Sequence, residues 1–167
     1  IDDEINRVIP VIKFLRNTYP ELILSVDTFR SEVARNCLDL GIDIINDISA
    51  GCIDKNILDV VAEYNCPYVM MHMRGTPQTM QINPEYENLI KELLIYFAKR
   101  IYLAREKGII DIIVDPGFGF GKTLDHNYTI MKKIENFKRL DLPILVGISR
   151  NSFITKQLAI DKQDSLN

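Results

Sequence analysis

Two hydrophobic patterns alternate along this chain. Short apolar runs rich in β-branched residues are separated by longer stretches in which apolar residues recur every three or four positions. The short runs predict five strands, at 22–27, 42–47, 68–73, 110–115 and 144–149. The longer stretches predict helices at 2–17, 30–40, 54–64, 84–107 and 125–139, with a further helix that begins near 151. Repeated strand–helix units of this kind are typical of a parallel sheet covered by helices.

Polar side chains stand at the end of each predicted strand. Apolar strands that deliver polar groups at one common end favour a (β/α)8 TIM barrel over an open doubly wound sheet, because ligands bind at the carboxyl ends of barrel strands. Eight strand–helix units take about 250 residues. We therefore expect this α/β chain to cover about five units of such a barrel.

Composition narrows the class of protein. The 167 residues are 47% hydrophobic and 26% charged with a net charge of -3, which is typical of one soluble globular domain. We expect residues 1–167 to form a single barrel domain, incomplete at both ends. A pI of about 5.4 without a basic patch argues against nucleic acid, and no apolar run reaches the length of about 18 residues that a membrane span needs.

Cysteine usage indicates the compartment. The three cysteines, Cys37, Cys52 and Cys66, have no CxxC spacing, and the chain does not open with a signal-peptide pattern. We expect reduced and mostly buried thiols, and hence a cytoplasmic protein.

A glycine-rich stretch, 115–122, follows the apolar run 112–114 directly. It is not a P-loop, because Pro116 stands where that motif needs its first glycine. It is not a dinucleotide fingerprint either, because Lys122 stands where the third glycine would fall. A ligand-binding loop and a plain turn both remain open.

The polar strand ends suggest a ligand class. Carboxylate and amide groups such as those of Asp27, Asn46 and Asp115 can pair with ring N–H and amino groups, while Met71 can pack on a ring face. A planar, nitrogen-rich heterocycle such as a pterin or a purine fits this set.

A structural role is the alternative for several of these residues. Helix capping is favoured for Asp47 and Asp125 but not for Asp115, which precedes a proline, and Asp27 is intermediate. His72 lies on a predicted buried strand, which favours a structural role over general-base catalysis, and we expect His126 to be an ordinary surface residue.

Five segments together resemble the dihydropteroate synthase family: 25–28, 44–48, 71–73, 115–122 and 147–150. The similarity also includes 7–11 and 75–81, so it extends over nearly the whole chain. The resemblance implies a (β/α)8 barrel in which this chain supplies strands three to seven.

The resemblance also implies an activity. Dihydropteroate synthases are transferases of folate synthesis that condense 6-hydroxymethyl-7,8-dihydropterin diphosphate with 4-aminobenzoate and release pyrophosphate. They usually use Mg2+, are generally homodimers, and bind sulfonamides in competition with the aminobenzoate. The diphosphate and magnesium loops of the family and its Arg/His pair find no match, so we expect no metal ligands here and no synthase activity from the 167 residues alone.

Site residues follow from the matched motifs. The resemblance implies that Asp27 and Asp115 are catalytic. It implies a pterin pocket formed by Asp27, Asn46, Ile48, Met71, Asp115 and Gly147. It implies an aminobenzoate pocket formed by Phe120, Ser149, Arg150 and Ser152.

One position departs from the family pattern. Asn151 stands where the family has a lysine that reaches the pterin carbonyl edge, so a cation is replaced by a neutral donor. Two alternative functions remain open, a pterin-binding methyltransferase-type domain and a non-catalytic pterin-binding relic. The aminobenzoate features Phe120 and Ser149 with Arg150 argue against the first, and Asn151 motivates the second.

Overall fold

The computed structural model describes residues 1–80, 84–149, 151, 153–155, 159 and 161. Its strands are β1 (Ser25–Asp27), β2 (Ile44–Asp47), β3 (Tyr68–Met71) and β4 (Ile112–Asp115). Its helices are α1 (Asp2–Thr18), α2 (Ser31–Leu38), α3 (Ile57–Tyr64), α4 (Leu89–Glu106) and α5 (Leu124–Lys132), followed by a 3-10 helix (Ile134–Leu140).

The strands form one sheet in the order β1-β2-β3-β4. The pairs β1–β2 and β2–β3 are parallel, with Asp27 opposite Asn46 and Asp47 opposite Met70. A helix lies between each pair of consecutive strands along the chain. The predicted repetition of strand–helix units is therefore confirmed for the first four strands, and parallel pairing is confirmed for the first three.

Two compact units make up the chain. The first contains Ile1–Met71 and Lys99–Ile113, and the second contains His72–Ala98 with the described residues from Val114 onward. Fully buried side chains fill each unit, with Ile45, Ile57 and Tyr68 in the first. In the second unit, the rings of Phe97 and Phe137 pack edge to face with centroids 6.2 Å apart. Each unit thus has a core of its own.

The predicted stripe on α4 is confirmed as core. Leu89, Leu93, Phe97 and Ile101 are all buried, as their spacing of four residues predicts for one face of a helix. Two of the three cysteines are also buried, and all three are free thiols. Burial raises the pKa of the Cys37 and Cys66 thiols to about 11.

The fifth predicted strand, 144–149, is wrong as a regular strand. Its described backbone forms one parallel bridge, between Val114 and Ile144, in which the Leu145 N–H donates to the Val114 carbonyl at 2.9 Å. The next bond of that ladder needs an N–H at residue 116, and Pro116 has none. The pairing therefore stops after one repeat, and Leu145 and Val146 stay exposed.

The residue that caps α5 differs from the predicted one. Thr123, rather than Asp125, caps the helix: its hydroxyl accepts from the His126 N–H at 3.2 Å, and its own N–H donates to His126 Nδ1 at 3.2 Å. The His126 ring also packs edge to face on Tyr86, with centroids 5.0 Å apart. His126 is therefore half-buried and part of a capping box, so its assignment to ordinary surface is wrong.

The remaining boundaries are close to those predicted. The helix predicted at 84–107 begins only at Leu89, and the one predicted at 125–139 divides into α5 and the 3-10 helix. None of the helices in the described ranges combines the length and the apolar character needed to cross a membrane.

Replacement of Thr123 with alanine should lower the free energy of unfolding by about 1 kcal/mol, because the first turn of α5 loses its side-chain acceptor. Urea denaturation of the full-length protein that contains this chain measures the change. Thr129→Ala, in the interior of the same helix, is the control and should have a smaller effect. Equal destabilisation by both replacements would contradict the assignment of the cap.

Candidate functional site

In the first unit, the ends of β1 and β2 place two candidate residues side by side. Asp27 and Asn46 are opposite each other in the parallel register, so their side chains share one face of the sheet. Asp27 keeps an exposed surface, yet partial desolvation, followed by the charges of Asp47 and Glu4, raises the pKa of its carboxyl group. The carboxylate is thus less stable here than in water and gains from a donor.

Asn46 has the clearest candidate acceptor for a ligand hydrogen bond. Its Oδ1 atom is buried, and no group in the part of the chain that the structure describes donates a hydrogen bond to it. A buried acceptor without a donor costs about 1–3 kcal/mol. A ligand N–H at this point would remove that cost.

Asp47, the next residue, has a structural role instead. Its carboxylate is fully buried and accepts from Ser49 N at 2.7 Å, Ser49 Oγ at 2.8 Å, Gly51 N at 2.6 Å and Tyr68 Oη at 2.6 Å. These bonds stabilise the turn after β2. The expectation that it caps a helix is wrong, because α3 begins only at Ile57.

The other two candidates of this unit are hydrophobic. Met71 is buried at the end of β3, and Ile48 is half-buried directly after β2. Met71 is the last residue of its strand and Ile48 directly follows one, as the sequence predicts for residues that shape a binding site.

In the second unit, Asp115 begins the glycine loop, by which we mean residues 115–121. Its Oδ1 accepts from Gly117 N at 2.7 Å, and the side chain is 8% exposed. Burial raises the pKa of the carboxyl group, whereas the Gly117 N–H and the charge of Lys122 oppose that change. Both neighbours favour the charged form of the carboxyl group, although its pKa remains raised overall.

Three glycines are necessary for the shape of this loop. Gly117, Gly119 and Gly121 have φ of 72°, 83° and 60°, values that residues with a Cβ rarely adopt. A Cβ at Gly119 would lie 2.6 Å from Asn151 Nδ2. The positive φ values and this close approach favour a loop whose conformation requires these glycines over a plain turn.

The sequence-based predictions did not include Lys122 among the candidate site residues. It is only 4% exposed, and its Nζ donates to the carbonyls of Gly117 at 2.8 Å, Phe120 at 2.9 Å and His72 at 3.2 Å. Burial lowers the pKa of the amine to about 7, and the Asp115 carboxylate opposes that shift. The available signal was a lysine directly after three alternating glycines.

His72 lies against this lysine. Its Nδ1 is 3.1 Å from Lys122 Nζ, and its ring packs edge to face on Tyr96 with centroids 4.8 Å apart. Burial, followed by the charges of Lys122 and Arg74, lowers the pKa of the imidazole to about 3. A neutral ring that accepts from a buried ammonium agrees with a structural role.

The aminobenzoate candidates are described only in part. Phe120 is half-buried in the glycine loop, and Gly147 and Ser149 are exposed. Arg150 and Ser152 lie outside the described residues. Asn151 turns toward the glycine loop, where its Nδ2 donates to the Phe118 carbonyl at 3.0 Å.

The described residues contain no ready cluster of ligands for magnesium. Across residues 1–80, 84–149 and the six further described positions, no three His, Cys, Asp or Glu side chains are grouped so that they could hold a metal ion.

Comparison with known proteins defines the class. Residues 1–166 match the family described as pterin binding enzyme, so the chain belongs to that family. It is 44% identical to the dihydropteroate synthase of Synechocystis over 95% of this chain and 55% of that protein.

Solved structures give the fold. The dihydropteroate synthase of Stenotrophomonas maltophilia, with imidazole bound in its active site, superposes with a TM-score of 0.95 at 34% identity, over 99% of this chain and 63% of that one. The Yersinia pestis enzyme in complex with a sulfonamide drug gives 0.92 at 34% identity, over 97% and 59%. The chain is thus part of a TIM barrel, as predicted, and spans little more than half the length of these relatives.

We expect the His72 ring to remain neutral throughout the range in which histidine normally titrates. Below pH 6.5 the unfolded chain takes up a proton that folded His72 does not, so this residue lowers stability as the pH falls from 6.5 toward 3. NMR of the full-length protein with 13C-labelled histidine should show no inflection above pH 5 for His72, which a His72→Gln variant assigns. An inflection near pH 6.5 would contradict its burial against Lys122.

Proposed function

We propose that the full-length protein to which this chain belongs is a dihydropteroate synthase. It condenses 6-hydroxymethyl-7,8-dihydropterin diphosphate with 4-aminobenzoate and releases pyrophosphate. The observation that carries this proposal is the similarity to proteins of that name over 95–99% of the chain. The activity is assigned to the complete protein, because the chain spans 55–63% of these relatives.

Pterin binding rests on acceptors at the strand ends. Asp27, Asn46 and Asp115 accept hydrogen bonds from ring N–H and amino groups of the pterin, and Ile48, Met71 and Gly147 contact its ring. The support for Asn46 is its buried Oδ1, to which no residue in the described ranges donates. The support for Asp27 and Asp115 is partial desolvation, which makes a ligand donor more valuable to each carboxylate than water.

The two carboxylates also have a role in the reaction. In a dissociative substitution, the diphosphate leaves the pterin methylene carbon before the aniline nitrogen attacks, so positive charge develops on the pterin. Asp27 and Asp115 stabilise that charge, and their desolvation strengthens the effect. Neither residue acts as a nucleophile, and the aniline proton passes to solvent or to the departing pyrophosphate.

The second substrate contacts the glycine loop. Phe120 borders the aminobenzoate ring, and Ser149, Arg150 and Ser152 bind its carboxylate. A relative at 34% identity binds a sulfonamide drug, which supports a site of this kind. Magnesium, a homodimer and a cytoplasmic location stay predictions from the sequence; a magnesium ion would neutralise the departing diphosphate.

A non-catalytic pterin-binding relic is the second candidate, because Asn151 stands where the family has a cation. Its amide donates to the Phe118 carbonyl at 3.0 Å, so in this conformation the side chain is bound to protein rather than directed at a substrate. A methyltransferase-type domain has no comparable observation in its favour.

The synthase proposal is tested by dihydropteroate formation from both substrates with the purified full-length protein. We expect turnover that a sulfonamide inhibits, and a further increase in kcat/KM on Asn151→Lys, by about ten-fold, because the cation is restored. Pterin binding without turnover in both proteins would favour the relic. Absence of pterin binding would refute both candidates.

Asn46→Leu should weaken pterin binding by about ten-fold or more, because the ligand donor loses its acceptor while the shape of the side chain is kept. The same change should leave stability unchanged or raise it, since a buried acceptor without a donor is removed. Calorimetry with the pterin diphosphate and urea denaturation measure the two effects. Asn36→Leu, on α2 of the same unit, is the matched control and should retain full affinity.

A further inference from the structure

The polar backbone groups of the glycine loop bind to side chains from several elements. The Gly117 N–H donates to Asp115 Oδ1 at 2.7 Å, and the Gly119 N–H donates to Asn127 Oδ1 at 2.8 Å. The Phe118 carbonyl accepts from Asn151, and the Gly121 carbonyl accepts from Tyr86 Oη at 2.8 Å. The loop conformation is therefore fixed by side-chain partners rather than by a regular ladder.

Lys122 holds more of this backbone than any other described side chain. Its ammonium binds the carbonyls of Gly117 and Phe120 within the loop and the carbonyl of His72, which directly follows β3. The fourth neighbour is His72 Nδ1 at 3.1 Å. Three N–H donors are thus shared among four acceptors in a site from which water is nearly excluded.

The three carbonyls of Gly117, Phe120 and His72 around Lys122 Nζ form what we call the carbonyl cage. Gly117 connects this cage to Asp115. Its N–H binds the Asp115 carboxylate, and its carbonyl binds the Lys122 ammonium, so one peptide segment is held from both sides. Lys122 is also the charged group that opposes protonation of Asp115. In the described part of this unit, Lys122 and Asp115 act on each other, the Lys122 charge also acts on His72 and His126, and Arg74 acts on His72.

We propose that Lys122 is a positioning residue of the substrate site. Its buried ammonium fixes the glycine loop, and with it Phe120, and keeps the neighbouring Asp115 carboxylate charged. The inference rests on the proposed function for its kinetic consequences, although the cage itself does not. No contact of Lys122 with a substrate is needed, because it acts through Phe120 and Asp115.

The test uses Lys122→Met in the full-length protein, since methionine keeps the length of the side chain and removes the charge and the donors. We expect KM for 4-aminobenzoate to rise by about ten-fold, with a smaller change in kcat. We also expect the acid limb of pterin binding to move to higher pH by about half a unit or more, because Asp115 loses the cation that favours its charged form. Lys122→Gln keeps one donor group, so its KM for 4-aminobenzoate and its acid limb should lie between those of wild type and Lys122→Met. This variant provides the test if the methionine variant does not fold.

Thr123→Ala is the control for destabilisation alone. It removes the cap of α5 one residue away but leaves the carbonyl cage of Lys122 intact. We expect it to leave both the KM and the acid limb at their wild-type values. Equal values for the Lys122 variants and Thr123→Ala would overturn the proposal.

Hydrogen exchange separates this inference from the proposed function. In Lys122→Met, the amides of Gly119 and Phe120, which donate to Asn127 Oδ1 and the Gly117 carbonyl, should exchange faster than in wild type, whereas Thr123→Ala should accelerate exchange mainly at the start of α5. If the wild-type protein forms no dihydropteroate, the synthase proposal fails, and loop exchange still decides whether Lys122 fixes the loop. Unchanged exchange in the Lys122 variants would overturn the inference whatever the activity.

Discussion

The need to satisfy polar groups buried at the carboxyl ends of the strands governs the rest of this structure. Asp47 and Asn46 are adjacent in sequence, yet Asp47 accepts four hydrogen bonds from its own chain while Asn46 Oδ1 has no donor among the described residues. A satisfied group fixes the fold, and an unsatisfied one is ready for a ligand. This contrast separates a structural residue from a candidate binding residue more clearly than residue type does.

The same constraint explains the buried charges of the second unit. An ammonium in a site with little water is stable only when its donors are used, and the carbonyls around Lys122 provide that. Two of those carbonyls, of Gly117 and Phe120, belong to the loop that the glycines hold in conformations that regular structure does not use. Lys122 and the glycines therefore depend on each other, and the loop that carries Asp115 and Phe120 follows from the pair.

Where the sequence-based predictions differ from the structure, the cause is a specific partner. A β-branched run predicts a strand at 144–149, but a ladder also needs donors on its neighbour, and Pro116 supplies none. Asp125 resembles a helix cap by type, whereas Thr123 has the geometry because His126 returns the second bond. Such errors are expected where one residue's role depends on another that periodicity does not identify.

By itself, the sequence determined the alternation of strands and helices, the core stripe of α4 and the resemblance that the family match confirmed, because periodicity and local motifs follow from the order of residues alone. Tertiary structure alone decided that Asn46 Oδ1 has no donor among the described residues, that the Asp47 carboxylate accepts four hydrogen bonds and that carbonyls surround Lys122. Hydrogen-bond saturation and desolvation depend on groups brought together from distant segments, such as Lys122 and His72, which are separated by 50 residues.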